Sequence, residues 1–184
     1  MDDSGDRRVR RTRQALRQAM NELIIEKGYD RFTVQDLIDR ADVGRSTFYS
    51  HYETKDDLLI SGLQEFAAEL RVKLAADPVK DDAILPTLGI FQHLAENQRL
   101  FRGLIGSRGI DIAQRRALEL LTNLALAGIG KREAAGEHSP VPADARAAFL
   151  AGAFMSFQAW WLDSGLHYSP EEMATMFYEM TAGR

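Results

Sequence analysis

Residues Thr33–Lys55 read TVQDLIDRADVGRSTFYSHYETK, and the way this stretch divides decides the fold. Val34, Leu37, Ile38 and Ala41 recur at i, i+3, i+4 and i+7, which makes one apolar helical face. The pattern then breaks. Asp42, Val43 and Gly44 form a tight turn, and Gly44 is the residue expected to take the positive φ that a sharp reversal between packed helices tends to need. A second, shorter helix is predicted from about Arg45 to Tyr52, with Phe48 and Tyr52 on the side that anchors it and Arg45, Ser46, Thr47, Tyr49 and His51 as its polar side chains. Two helices joined by a three- or four-residue turn containing Gly have the helix-turn-helix layout, whose second helix can lie in the major groove of DNA.

The residue identities sharpen what spacing alone leaves open. The run from Thr33 through VGRSTFYSHYETKDDLL to Leu59 resembles the helix-turn-helix of the TetR family of bacterial transcriptional regulators, specifically over about the first sixty residues and only in architecture beyond them. The resemblance implies an all-α homodimer of about nine helices. It implies an N-terminal arm and three-helix DNA-binding domain, placed at residues 1–55, and a larger helical domain for effector binding and dimerisation at residues 56–184. The implied function is that of a repressor on a pseudo-palindromic operator in double-stranded DNA, released by a small-molecule effector. A regulator of the same type that senses a protein partner, or that activates, is the alternative.

Composition bounds these readings. With 184 residues, 45% of them hydrophobic, the chain can bury an ordinary globular core. It has no Cys, which removes disulfides and thiolate chemistry and agrees with a reducing, cytoplasmic setting. The opening residues MDDSGDRRVRRTR lack the apolar core of a signal peptide, and no apolar run approaches membrane-spanning length, so no membrane partner is expected. The net charge of −4 argues against a nucleic-acid ligand, but its distribution argues for one. Six arginines (Arg7, Arg8, Arg10, Arg11, Arg13, Arg17) and no acid lie between residues 7 and 17. A local basic arm can neutralise phosphates on an otherwise acidic protein.

Taken in order, residues 1 to about 8 read as a disordered tail. Leu16, Ala19, Met20, Leu23 and Ile24 then mark an amphipathic helix closed by Gly28 at its C′ position. Tyr29 and Phe32 are expected to pack inward, and Thr33 with Asp36 makes a capping box. Thr54 caps the next helix, whose face is Leu59, Leu63, Phe66 and Leu70 and which Pro78 stops after about Ala76. VKDDAIL reads as a linker into a helix from about Ile84 to Glu96 with Pro86 in its first turn. Short and long helices are then expected at Gln98–Gly106 and Ile110–Lys131, the latter with Leu118, Leu121, Ala125 and Leu126 as its stripe. A loop, AAGEHSPVPA, leads into a helix at 143–163, and Ser169-Pro170-Glu171-Glu172 opens the last one.

In the family that the motif resembles, the positions matching Gln35, Arg45, Ser46, Thr47, Tyr49, His51 and Lys55 face DNA. Arg45 has the planar donor fork that holds guanine O6 and N7 together; otherwise it is a surface arginine paired with Asp42. Thr47 and Ser46 can touch a thymine methyl or a phosphate, or simply start the helix. Tyr49 and His51 suit phosphate, and Lys55 would meet the backbone as a point charge. Arg10 and Arg11 of the arm would lie along the DNA backbone or reach the minor groove.

Beyond the motif, Phe91, His93, Phe101, Trp160 and Trp161 could line an apolar effector cavity, although aromatic residues at helical spacing are ordinarily core. In the last two helices Gly152, Ser156 and Ala159 form a small-residue ridge, and Met173, Met176, Phe177 and Met180 an i, i+3, i+4, i+7 face. Such a hairpin fits the interface of an isologous dimer, while a Met-rich stripe also fits plain core. Nothing suggests an enzyme, a cofactor or a metal site. There is no phosphate-cradling Gly-rich loop, no HExxH and no G-x-S-x-G, and the four histidines are scattered.

Overall fold

The computed structural model describes residues 3–76 and 84–181. Among the described residues the chain is all-α, with nine α-helices, one 3₁₀ turn and no strand. The helices are α1 (Asp3–Lys27), α2 (Val34–Ala41), α3 (Arg45–Tyr49), α4 (Lys55–Ala76), α5 (Thr87–Glu96), α6 (Gln98–Leu104), α7 (Arg108–Ala134), α8 (Ala143–Asp163) and α9 (Pro170–Thr181), with the 3₁₀ turn at Tyr29–Arg31. Helix begins at Asp3, where a disordered tail was expected, because Arg7–Arg17 continue the polar face of the amphipathic segment that follows. Pro78 and most of the VKDDAIL linker lie outside the described residues. Pro86 is the N-cap of α5, not a first-turn residue, so α5 starts at Thr87 instead of Ile84.

The chain divides into two compact units. The first comprises residues up to Phe66 together with Arg99–Ala113; the second comprises Ala67–Gln98 and Gln114–Arg184. The units therefore interleave along the chain, whereas the cut after residue 55 concerns how roles are divided.

In the first unit the inner face of α1 (Leu16, Ala19, Met20, Leu23, Ile24) is buried with Tyr29, Phe32, Leu37, Ile38, Phe48, Tyr52, Leu58 and Leu59. Leu104, Ile112 and Ala113, far along the chain, complete this core. Full burial of each large apolar side chain contributes about 1.5–3 kcal/mol, enough in sum to order a three-helix unit whose own helices are short. Close packing depends on two glycines. A Cβ at Gly103 would stand 2.4 Å from the carbonyl oxygen of Ile24, and one at Gly109 would stand 2.7 Å from the ring of Tyr29. Only a bare backbone fits at either point.

The second unit is built on aromatic contacts. Phe91 is fully buried, 4.9 Å from Phe154 and 5.3 Å edge-on to Trp161, measured between ring centroids. Phe154 meets Phe177 at 5.3 Å. The indole of Trp161 donates to the carbonyl of Tyr168 at 3.0 Å, which satisfies its one polar group inside the core. In the part of α7 that belongs to this unit the buried hydrophobic residues are Leu121, Ala125 and Ile129; Leu118 and Leu126, expected on that stripe, are exposed. The stripe is thus rotated toward i, i+4, i+8.

Two groups of expected residues change place here. Met173 and Phe177 are buried within the chain's own core, so they offer nothing to a partner; Met176 is half-buried and Met180 exposed. On α8, Ser156 and Ala159 are exposed and half-buried Gly152 has open space beside it. They share the outer side with Phe149 and Trp160, whose exposures are 69% and 47%. Of the five residues expected around an effector cavity, Phe91 and Trp161 are core, filled by each other and by Phe154. Trp160 is exposed, His93 bonds Asn97 at 3.2 Å, and Phe101 belongs to the first unit. Phe91 and Trp161 therefore serve packing within the second unit.

Gly103→Ala forces its methyl group against the Ile24 backbone and should lower unfolding stability by about 1–3 kcal/mol. Gly130→Ala, in α7 with open space around it, should raise stability by about 0.5–1 kcal/mol. Urea midpoints of the two variants measure both effects. Equal midpoints would contradict the close approach at Gly103.

Candidate nucleic-acid interface

The helix-turn-helix is positioned from α1. Arg40 of α2 reaches back with a bidentate pair to Glu26, 2.8 Å at each nitrogen, and a third bond to Glu22 at 3.1 Å. Lys27, in the last turn of α1, bonds Asp36 in the first turn of α2 at 2.9 Å. The same carboxylate closes the capping box: its other oxygen accepts from the Thr33 N–H at 2.8 Å, and the Asp36 N–H donates to the Thr33 hydroxyl oxygen at 3.3 Å. The Thr33 hydroxyl and Lys27 together hold the Asp36 carboxyl well below the usual carboxylate range. Thr54 and Asp57 repeat the box at the start of α4, with a backbone bond of 2.8 Å returned at 3.1 Å.

The turn itself differs from expectation. Gly44 has φ −70°, and the left-handed residue is Asp42 at φ 52° and ψ 50°. Asp tolerates this conformation better than most residues, and here it ends α2 in the manner of a C′ cap, with Val43 N–H donating to the Ile38 carbonyl at 3.1 Å. The Arg45 guanidinium bonds Gln35.

Helix α3 is short, five residues where eight were expected, because the chain passes into a turn at Ser50 and His51. The Ser50 hydroxyl bonds the Thr47 carbonyl at 2.8 Å, and His51 N–H bonds the Phe48 carbonyl at 2.9 Å. Tyr52 still reaches the core from that turn, its ring 6.0 Å from Phe48. Phe48 is fully buried. With that face committed, Arg45, Ser46 and Tyr49 are exposed, and Thr47 and His51 are half-buried.

Gln35, Arg45 and Tyr49 come together on this outer surface. The Arg45 guanidinium donates to the Gln35 side-chain oxygen at 3.5 Å and lies 5.7 Å from the centre of the Tyr49 ring. Gln35 is in turn oriented by a 2.8 Å bond to Asp39. An arginine held loosely between an amide and a phenol ring keeps most of its donors for another ligand. Arg10 and Arg11 are exposed on α1, as part of a helix and not as an extended arm.

Lys55 is not the free point charge that was expected. Its ammonium donates to the carbonyls of Tyr29 (2.8 Å) and Phe32 (3.0 Å) and lies 4.6 and 4.7 Å from the centres of their rings. Burial in this cage pulls its pKa down, opposed by the carboxylates of Asp30 and Asp56. Two of its three N–H donors are used inside the protein. The sequence reading missed this role and also missed Asp56 and Arg108, which pair at 2.5 Å beside it. No periodicity marks such contacts, because they join residues that lie several helical turns or whole helices apart in the chain.

The comparisons agree with this geometry. Residues 16–61 match the family model described as bacterial regulatory proteins, TetR family, and residues 84–183 match one described as transcriptional regulator C-terminal region. The chain belongs to the TetR family. Regulators of this family bind DNA and act as dimers. An uncharacterised HTH-type transcriptional regulator, YxbF of Bacillus subtilis (strain 168), is 38% identical over 76 residues, which are 40% of this chain and 20% of that protein. The HTH-type transcriptional repressor DhaR of Mycobacterium sp. (strain GP1) is 27% identical over 104 residues, 55% of this chain and 52% of DhaR. The match thus spans only a fifth of one of these relatives and about half of the other. A putative TetR-family regulator from Syntrophomonas wolfei has the same fold, with a TM-score of 0.70, 24% identity and 93% of each chain covered. Among the described residues no helix is long and apolar enough to cross a membrane.

At the turn between α2 and α3, Asp42→Val places a β-branched residue at positive φ and should cost about 1–2 kcal/mol. Gly44→Ala meets only an ordinary 3.6 Å contact with Thr47 and should change stability by less than about 0.5 kcal/mol. Thermal unfolding of the two variants checks this, and the reverse ranking would return the strained position to Gly44.

Proposed function

We propose that this regulator binds a pseudo-palindromic operator as a homodimer, with α3 of each subunit in successive major grooves about 34–36 Å apart, and that it represses transcription until a small molecule releases it. The observation that supports this best is the exposed Arg45 fork, poised between Gln35 and Tyr49 on a helix whose other face is held by Phe48. In this reading Arg45 contacts guanine. Gln35, Ser46, Thr47, Tyr49 and His51 contact phosphates and neighbouring base edges, and Arg10 and Arg11 follow the backbone from α1. Lys55 acts chiefly from within, holding the segment before Thr33, with one donor left for a phosphate.

The dimer would form across the outer side of α8, where Phe149, Gly152, Ser156 and Trp160 recur at i, i+3, i+7 and i+11, joined by Ala159 and by Met176 and Met180 of α9. An exposed apolar stripe around small residues suits the close, self-complementary packing of two helices about a two-fold axis. Repression is favoured by the kinship with DhaR, a named repressor. Release by an effector follows by linkage, a ligand that prefers an ill-spaced dimer lowering operator affinity by about 1–3 kcal/mol.

Selection of bound duplexes from a random pool, repeated with metabolite extracts, tests the whole reading. Enrichment of a two-fold sequence that an extract abolishes is the expected result. On the enriched duplex, Arg45→Ala should relax base preference at one position per half-site and cost about 1–3 kcal/mol. Equal loss on random duplexes would contradict base reading. Ser156→Arg should sediment as a monomer while keeping its helix content; a persistent dimer would move the interface off α8.

A further inference from the structure

The start of α4 carries two adjacent carboxylates with separate tasks. Asp57 caps the helix through Thr54. Asp56, which the cap does not use, accepts the phenol O–H of buried Tyr29 at 2.6 Å on one oxygen and meets the Arg108 guanidinium at 2.5 Å on the other. Arg108 opens α7, and its backbone N–H donates to Asp30 at 3.2 Å. Beside this cluster Lys55 bonds the carbonyls of Tyr29 and Phe32. The ring of the same Tyr29 is covered by Gly109, at a distance that excludes any Cβ.

One polar cluster therefore joins three segments, 29–32, 55–56 and 108. The first two flank α2 and α3 in the chain, so whatever holds them together sets how the recognition helix is presented. The third comes from a helix that continues more than twenty residues further. We propose that Arg108 is a positioning residue for DNA binding. By holding Asp56, and through it Tyr29 and the Lys55 cage, it keeps both ends of the helix-turn-helix in their DNA-binding arrangement and makes α7 a control point for operator affinity. The proposal rests on the DNA-binding reading above. Its test is clean because the Arg108 side chain is 72% exposed, and an exposed ion pair adds little to fold stability.

The experiment uses the full chain and a duplex enriched by the wild-type protein, with a scrambled duplex alongside. The variants are Arg108→Ala, Arg108→Lys, Asp56→Asn and the Ala/Asn double variant. Arg108→Ala should weaken the enriched duplex about fivefold to tenfold, lower the melting temperature by less than about 2 °C and change scrambled-duplex binding little. The double variant should bind no worse than Arg108→Ala, since both changes break one link, and Arg108→Lys should recover part of the loss. Unchanged affinity in Arg108→Ala overturns the proposal. So does a multiplicative loss in the double variant, an equal loss on the scrambled duplex, which would make Arg108 a phosphate contact, or a parallel fall in melting temperature, which would make it a fold defect. If Arg45→Ala abolishes preference for the enriched duplex while Arg108→Ala does not alter affinity, only the positioning role fails. If the wild-type chain enriches no duplex, the DNA-binding reading fails with it.

Discussion

Everything that faces outward in the N-terminal unit depends on one buried ring. Phe48 lies wholly inside a core supplied by α1, α2 and the start of α4, and it is flanked by Tyr52 and by the edge of Tyr49. A five-residue helix has too few internal hydrogen bonds to stand in water, since nucleation costs more than so short a run returns. Burial of Phe48 and Tyr52 supplies what the helix lacks. It also sets the rotation of α3, and the 3.6-residue repeat then turns Arg45, Ser46 and Tyr49 to solvent.

Around that anchor the unit is held by ion pairs and caps that act on helix ends. Arg40 with Glu22 and Glu26 joins the last turns of α1 to the end of α2, and Lys27 with Asp36 joins the final residue of α1 to the start of α2. Each pair is solvent-accessible and individually weak. Their value is angular: a bidentate Arg40 and a capping box restrain the crossing of two short helices that a greasy contact alone would leave free to slide. Lys55 extends the same logic inward. Its ammonium fills two backbone acceptors of a 3₁₀ turn and lies against two ring faces, so a residue at the start of α4 determines the geometry of the segment before α2.

The second unit follows a different rule. Its core is a set of edge-on and tilted rings contributed by α5, α8 and α9, with Phe91 at the centre. Such a core takes up the inward-facing side chains of these helices, Met173 and Phe177 included, and leaves Phe149, Gly152, Ser156 and Trp160 along the outer side of α8. The same packing claims Phe91 and Trp161 from the residues expected to serve a ligand, and Met173 and Phe177 from those expected to serve a partner subunit.

The amino-acid sequence alone determined the helices, their caps and the helix-turn-helix. These are local properties, written in apolar spacing and in residues three apart such as Thr33 with Asp36, Thr54 with Asp57 and Ser169 with Glu172. The burial of Tyr29, Phe32, Phe48 and Tyr52 was legible for the same reason, because an apolar face in a small helical unit has few places to go. Tertiary structure alone decided which contact each face makes. It put the left-handed residue at Asp42 instead of Gly44, closed Lys55 over two carbonyls, and brought Arg108 to Asp56. It also turned Met173 and Phe177 inward. Periodicity specifies that a face must be covered or a charge compensated, but the group that does so comes from a remote part of the chain, and only the folded backbone brings the two together.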